Sequence, residues 1–343
     1  MRIVSGNEKG IAASVARGAF SMFSGLYRLV YEGKSISYRL GLKRSRRVNA
    51  RVVSVGNITA GGAGKTPAVM YFARRFLEEG RNIVVLSRGY GRVTPADQPL
   101  AVSDRSKVLL SPRESGDEPY LIARKLSGVP VVVCGKRVKG ARFAIEKFGA
   151  EVIVLDDGFQ HVALARDEDI VVIDCTAPFG YGRLLPRGLL REPIDALKRA
   201  TCFLLTRADE RGHEDVVNAL RGINPDARLL KSRHRPKRLI NLQEQTEMPC
   251  GSISKKRVIA LSSIGNPAAF EKTVSRLGAH VAQGLRFSDH HWYDPADIEK
   301  IQSIRERLGA EYVVTTEKDG VRLGAVSRPL GNTLLLEIEL EII

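Results

Sequence analysis

Residues 51–66 read RVVSVGNITAGGAGKT, and the two halves of that stretch ask for different structures. Val52, Val53 and Val55 form a β-branched apolar run, the composition of a buried strand. The chain then breaks at Gly61, Gly62, Ala63 and Gly64, passes Lys65 and Thr66, and continues helix-like to Glu79. Glycines let the backbone curl until successive N–H groups share one concavity, and the helix N-terminus adds its positive end. In such a loop Lys65 reaches the β- and γ-phosphates of a nucleotide, while the Thr66 hydroxyl ligates Mg²⁺. The expected nucleotide cradle is therefore Thr59, Ala60, Gly61, Gly62, Ala63, Gly64, Lys65 and Thr66. Thr59 stands where G-x-x-x-x-G-K-[ST] would have its first glycine. The plainer reading is a glycine-rich strand–helix turn. A Gly-Lys-Thr placed between strand and helix favours the nucleotide site.

At 343 residues the chain exceeds the usual size of a single core, so two domains are expected. A hydrophobic content of 43% suffices for a core and excludes a disordered chain. No stretch offers the roughly 20 uninterrupted apolar residues of a membrane span. The polar first ten residues do not suit a cleavable signal peptide. Cys134, Cys175, Cys202 and Cys250 form no C-x-x-C pair, and three lie in or beside apolar strand-like runs. They read as small buried hydrophobes in a reducing cytoplasm, not as zinc ligands or disulfides.

The net charge of +16 points to an anionic partner: nucleic acid, a membrane surface or a phosphorylated substrate. Residues 1–50 hold ten Lys/Arg against Glu8 and Glu32, so half of the excess sits in one-seventh of the chain. Within them Ile11, Val15, Phe20, Phe23, Leu26, Tyr27 and Val30 recur at helical steps, and Lys43, Arg44, Arg46 and Arg47 follow. An amphipathic helix beside a polybasic patch is suited to an anionic bilayer. A helix packed on the core with a solvated basic linker is the alternative. No base-reading module or stacking-aromatic motif supports nucleic acid.

Beyond the loop, strand-like runs at Ile83–Ser87, Val129–Cys134, Glu151–Leu155, Ile170–Asp174 and Cys202–Thr206 alternate with helical stretches. That alternation predicts an α/β fold, a mostly parallel sheet with helices on both faces and nucleotide chemistry at the strands' carboxyl ends. Composition changes after Asp209, residues 231–257 are polar and basic with weak periodicity, and order resumes at Val258. The organisation expected is a basic amphipathic segment over 1–48, a nucleotide-binding domain over 49–225, and a smaller C-terminal α/β lobe over 226–343.

Several polar residues fall where chemistry is expected. The run VIVLDDGFQH (152–161) brings Asp156 and Asp157 to a strand tip, where a carboxylate can hold Mg²⁺. Asp157–Gly158 equally suits a simple turn. Asp117 and Glu118 precede Pro119 and a helix-like run, the usual setting of an N-cap. The stretches 86–92 and 180–193 are arginine- and glycine-bearing loops able to contact phosphate. FSDHHWYDP (287–295) offers a histidine–carboxylate pair as a proton relay, because no third ligand at helical spacing supports zinc. The segment LLTRAD (204–209) only loosely mimics the N-K-x-D element that reads guanine.

Together the pieces resemble the tetraacyldisaccharide 4′-kinase (lipid A 4′-kinase) family. The resemblance is carried, in the family's order, by SVGNITAGGAGKTP (54–67), LSRGYGR (86–92), GDEP (116–119) and VLDDGFQH (154–161). It continues through LARD (164–167), GRLLP (182–186), LREP (190–193), SDHHWY (288–293) and TTEKD (315–319). Thr59 is usual in that family, whereas Val162-Ala163 and Tyr181 depart from its pattern. The resemblance implies ATP- and Mg²⁺-dependent phosphorylation of the 4′-hydroxyl of an anionic tetraacyl-glucosamine disaccharide 1-phosphate. It places the enzyme at the cytoplasmic face of the bacterial inner membrane, with no obligate protein partner evident. It implies Asp117 as proton acceptor with His290, Lys65 and the cradle for ATP, and Thr66, Asp156 and Asp157 for Mg²⁺. Arg191 and Glu192 are implied beside the reacting phosphate. The rival is a membrane-associated nucleotide switch or partitioning ATPase, whose signature lysine would fall at Ala60.

Overall fold

In the computed structural model, which describes residues 10–209, 213–326 and 330–343, the opening stretch becomes strand β1 (Arg51–Gly56). Every residue of β1 except Arg51 is buried, as a strand covered on both faces requires. Helix α1 (Ile11–Arg39) precedes it, running well past the Tyr31 at which the apolar periodicity ends. Arg2, Glu8 and Lys9 of the basic segment lie outside the described residues.

After β1 come α2 (Lys65–Glu78), β2 (Ile83–Ser87), β3 (Leu100–Ser103), α3 (Pro112–Ser115) and α4 (Asp117–Lys125). The chain continues with β4 (Val131–Val133), α5 (Arg137–Phe148), β5 (Val152–Asp156), β6 (Glu168–Asp174), β7 (Cys202–Thr206) and α6 (His213–Ile223). The second half holds β8 (Arg228–Asn241), β9 (Glu247–Met248), β10 (Arg257–Ser262), α7 (Pro267–Arg276) and β11 (His280–Arg286). It closes with α8 (Pro295–Arg307), β12 (Tyr312–Thr316), α9 (Glu317–Leu323) and β13 (Thr333–Ile342).

All strands join one sheet in the order β11-β10-β12-β13-β8-β7-β6-β1-β5-β2-β4-β3, with β9 beside β8. Only the β3–β4, β8–β13 and β8–β9 pairings among the described residues are antiparallel. This is the expected mostly parallel α/β sheet. Val53, Val55, Val69, Phe72 and Phe76 pack α2 on one face, and Leu86, Ala141, Ala144 and Ile153 pack α5 on the other. Each fully buried side chain of this size contributes roughly 1.5–3 kcal/mol.

The polar stretch after residue 230 is where structure and sequence reading differ most. Instead of an irregular segment it is the long strand β8, shared by both halves of the sheet. Arg228–Lys231 pair parallel with β7, and Ser232–Asn241 pair antiparallel with β13. Arg233 faces Glu341, Arg235 faces Glu339, and Arg238 faces Glu337 across the ribbon. The two outer pairs, Arg233–Glu341 and Arg235–Glu339, are solvent-accessible and give at most about 1 kcal/mol each. Buried Leu239, Leu334 and Leu336 on the other face give about 2 kcal/mol each. Apolar burial therefore holds the ribbon, and the charge ladder sets its register. Pro236 has no N–H to give, and the pairing shifts there, between Glu337 and Ile338.

Candidate active site

The carboxyl ends of β1, β2, β5 and β7 converge on one cleft of about 540 Å³ lined by residues 59–67. Thr59 bridges to Leu190, and the Ala60 N–H donates to the Leu189 carbonyl at 2.7 Å, anchoring the loop's entry. The Thr206 hydroxyl at the end of β7 donates to the Ala63 carbonyl at 3.0 Å. The element that loosely mimicked a base reader thus supports the loop, and its Arg207 is engaged by Asp174.

Gly64 begins α2 with φ 87°, a left-handed conformation that favours glycine. A Cβ there would also stand 2.8 Å from His234 Nε2 of β8. That nitrogen is buried and has no hydrogen-bond partner among the described residues. Burial, and then the charge of Arg207, push the imidazole down to about 4. The sign follows from linkage: the unfolded chain takes up the proton first as pH falls through about 6.5. Stability is therefore full above that pH, drains as pH falls to about 4, and is flat below. Urea unfolding at pH 7 and pH 5 is expected to show wild-type protein losing about 2 kcal/mol more than His234→Gln. Equal losses in the two proteins would remove His234 as the source.

Lys65, Asp157, Arg191 and Asn57 form one network. Lys65 Nζ donates to Asn57 Oδ1 at 3.1 Å and lies 3.5 Å from Asp157 Oδ1. Arg191 donates to both oxygens of Asp157, at 2.8 and 2.9 Å, and to Gln160 Oε1 at 3.2 Å. Burial raises the Asp157 carboxyl, but Lys65 and Arg191 more than offset it and bring it to about 2. Its neighbour is placed differently. Asp156 is buried, accepts from the Ser87 hydroxyl at 2.8 Å through Oδ2, and has no partner for Oδ1 among the described residues. Burial, reinforced by Glu118 and Asp157, raises the Asp156 carboxyl. Thr66 is buried in the same cleft lining.

The far wall comes from the second half of the chain. Gly265 sits so close to the loop that a Cβ on it would be 2.5 Å from the Gly62 nitrogen. His290 Nδ1 lies 3.1 Å from Asp117 Oδ2, joining residues 173 apart in sequence. Burial raises the Asp117 carboxyl, while His290 and Arg322 outweigh it and lower the net value. The hydrogen bond to Asp117 raises the His290 imidazole. Lys318 pairs with Glu118, and Arg113 of α3 stacks on Trp292 at 4.1 Å. The adjacent His291 turns away, bonding Asp297 at 2.7 Å at the start of α8.

Of the expected site residues, Asp117, His290, Lys65, Arg191, Asp156, Asp157 and the 59–66 loop all line the cleft. Glu192 does not. It is buried behind the wall, accepting from Arg199 at 2.6 Å and from the Tyr31 hydroxyl at 3.4 Å. Its carboxylate is spent on Arg199, one of the two partners it has among the described residues. Asn57, Gln160 and Lys318 were not singled out by sequence reading. All three lie inside or beside the matched runs, so their only signal was adjacency.

Helix α1 reaches the same region. The Ser24 hydroxyl donates to the Leu184 carbonyl at 2.8 Å and Tyr27 to that of Arg191 at 2.8 Å. Its opposite side exposes Val15, Met22, Phe23, Leu26, Leu29 and Val30, all more than half accessible. Lys43, Arg44, Arg46 and Arg47 beyond it are exposed. No helix of the described residues is long and apolar enough to cross a membrane.

A family model described as tetraacyldisaccharide-1-phosphate 4′-kinase matches residues 17–342. A tetraacyldisaccharide 4′-kinase of Halothermothrix orenii is 40% identical, covering 94% of this chain and 87% of its own. One of Anaeromyxobacter sp. strain K is 45% identical over 84% of this chain and 76% of its own. A crystal structure of LpxK from Aquifex aeolicus in complex with ATP superposes with a TM-score of 0.73 at 31% identity. That match covers 96% of this chain and 95% of the other.

Proposed function

The chain belongs to the tetraacyldisaccharide-1-phosphate 4′-kinase family, and on that premise we propose how its cleft performs lipid A 4′-phosphorylation. The enzyme moves the γ-phosphate of ATP to the 4′-hydroxyl of a tetraacyl-glucosamine disaccharide 1-phosphate. The observation that carries the mechanism is the Asp117–His290 pair facing the phosphate loop across one cleft. As the 4′-oxygen bonds to Pγ, the bond from Pγ to the β–γ bridging oxygen breaks and ADP leaves. The hydroxyl proton passes to the Asp117 carboxylate, which His290 orients. Lys65 and Arg191, fixed by Asp157, supply positive charge to the transferring phosphoryl group.

The residues fit Mg²⁺. Among the described residues no cluster of three His, Cys, Asp or Glu forms a cage. Mg²⁺ in kinases typically takes only one or two protein ligands besides substrate phosphates and water. Thr66 and Asp156, with its unpartnered buried Oδ1, would hold the ion. Asp157 stays with its two cations. When bound, Mg²⁺ neutralises charge on the β- and γ-phosphates.

The exposed apolar side of α1 and the basic cluster beyond it support a location on the anionic cytoplasmic surface of the inner membrane. Each Lys/Arg near such a surface adds about 1 kcal/mol. The test is transfer of labelled γ-phosphate to the acceptor, in detergent and in vesicles of phosphatidylethanolamine and phosphatidylglycerol. A labelled 4′-phosphate is expected in both. Met22→Asp with Leu29→Asp should lower transfer in vesicles at least about tenfold, leaving detergent transfer within about threefold. Release of free phosphate with no labelled lipid in any form would favour the nucleotide switch, and equal vesicle rates would remove the membrane role of α1.

A further inference from the structure

We propose that Arg322 is a positioning residue for phosphoryl transfer, seated by Asp319 so that its charge faces the Asp117 carboxylate from the C-terminal half. This rests on Asp117 as proton acceptor. Arg322 is the largest of the fully buried side chains, 1% exposed, on the last turn of α9. A guanidinium costs several kcal/mol to bring out of water unless carboxylates meet it. Two do. Its Nη2 donates to Asp319 Oδ1 at 2.9 Å, and its Nη1 stands 3.2 Å from Asp117 Oδ2.

The two carboxylates have different situations. Asp319 is fully buried and accepts at both oxygens. Its Oδ1 also accepts from the Ser263 N–H at 3.1 Å and the Tyr293 hydroxyl at 3.0 Å, and its Oδ2 accepts from Thr316 at 2.6 Å. This makes a seat for the guanidinium, whose Nη2 also reaches the Ser263 carbonyl at 3.3 Å. Among the described residues Asp117 Oδ1 accepts only from the Glu118 N–H, at 2.9 Å. Its Oδ2 therefore depends on His290 and Arg322, both from the other half of the chain. The Nη1 contact lacks hydrogen-bond alignment, so Arg322 acts on Asp117 chiefly as a charge. The groups facing Asp117 are then His290 from the loop before α8, Arg322 and Lys318 from α9, and Glu118 on its own helix.

Without Arg322 one of the charges that offset burial is gone, so the carboxyl takes up a proton at higher pH than in wild type and is a poorer proton acceptor on the acid side. The experiment measures kcat from pH 4.5 to 9, KM for ATP and melting temperature for Arg322→Gln, Arg322→Lys and Asp117→Asn. Arg322→Gln is expected to lower kcat about 100-fold, move the acid limb up by about one pH unit, and keep KM for ATP within about threefold. Arg322→Lys, whose single ammonium cannot span both carboxylates, should lose about tenfold with an intermediate limb.

A folded glutamine variant with an unmoved acid limb overturns the proposal, whatever its kcat, because a merely structural arginine predicts that result. If the glutamine variant does not fold, the lysine variant decides: kcat and acid limb equal to wild type overturn the proposal. Asp117→Asn separates the two levels. Its inactivity beside an unmoved limb leaves the proton-acceptor reading standing and removes Arg322 alone. Near-wild-type transfer by Asp117→Asn removes both.

Discussion

Replacing Lys65 with methionine is expected to lower kcat/KM for phosphate transfer about a thousandfold or more. Lys65 Nζ is held by Asn57 Oδ1 and lies beside Asp157, so the ammonium is pre-aimed at the loop it follows. Preorganised charge at a developing phosphoryl transition state supplies about 3–4 kcal/mol per donor, because no solvent reorganises at the moment of reaction. Fold and loop should survive the change. Asp157 keeps its two-pronged contact with Arg191 and so is not left as an uncompensated buried charge. Steady-state transfer beside a thermal melt checks both parts. Activity within about tenfold of wild type would show that Arg191 alone carries the phosphate charge.

The second large effect concerns Asp117. Asparagine keeps the shape and removes the proton acceptor, so kcat should fall about 10²- to 10⁴-fold. ATP affinity should stay within about threefold, because the ion pairs of Asp117 run to His290 and Arg322 and not, among the described residues, to the 59–66 loop. Arg322 retains Asp319, so the protein should remain folded. Transfer kinetics and binding of a fluorescent ATP analogue separate the two expectations. Loss of binding in parallel with turnover would mean that Asp117 supports the nucleotide instead of the proton.

The contrast between Asp156 and Asp157 shows where local reading stops. Both stand at the tip of β5, and composition alone makes them equivalent. One turns toward Ser87 and keeps an oxygen unpartnered, whereas the other is clamped by Lys65 and Arg191. The difference arises from neighbours on other strands and loops. The same holds for the adjacent histidines: His290 joins Asp117 and His291 bonds Asp297 in the first turn of α8. Glu192 shares its surroundings in sequence with Arg191 but faces the opposite way, toward Arg199 and Tyr31.

β8 illustrates a readable signal that was diluted. Arg233, Arg235 and Lys237 alternate, as do Glu337, Glu339 and Glu341 in the last strand. Complementary two-residue periods foretell a paired ribbon, but hydrophobic periodicity, the usual guide, is weak where one face is charged. The sequence by itself determined what depends on short-range backbone and solvation: the strand, the glycine loop and helix at 51–79, and the alternation that builds a parallel sheet. φ/ψ preferences and apolar periods act over a few residues, so they are written locally. Only the tertiary structure decided which charges meet. The Asp117–His290 and Glu118–Lys318 contacts span 173 and 200 residues. Their partners are selected by how two halves fold against each other, and burial then sets the protonation each carries.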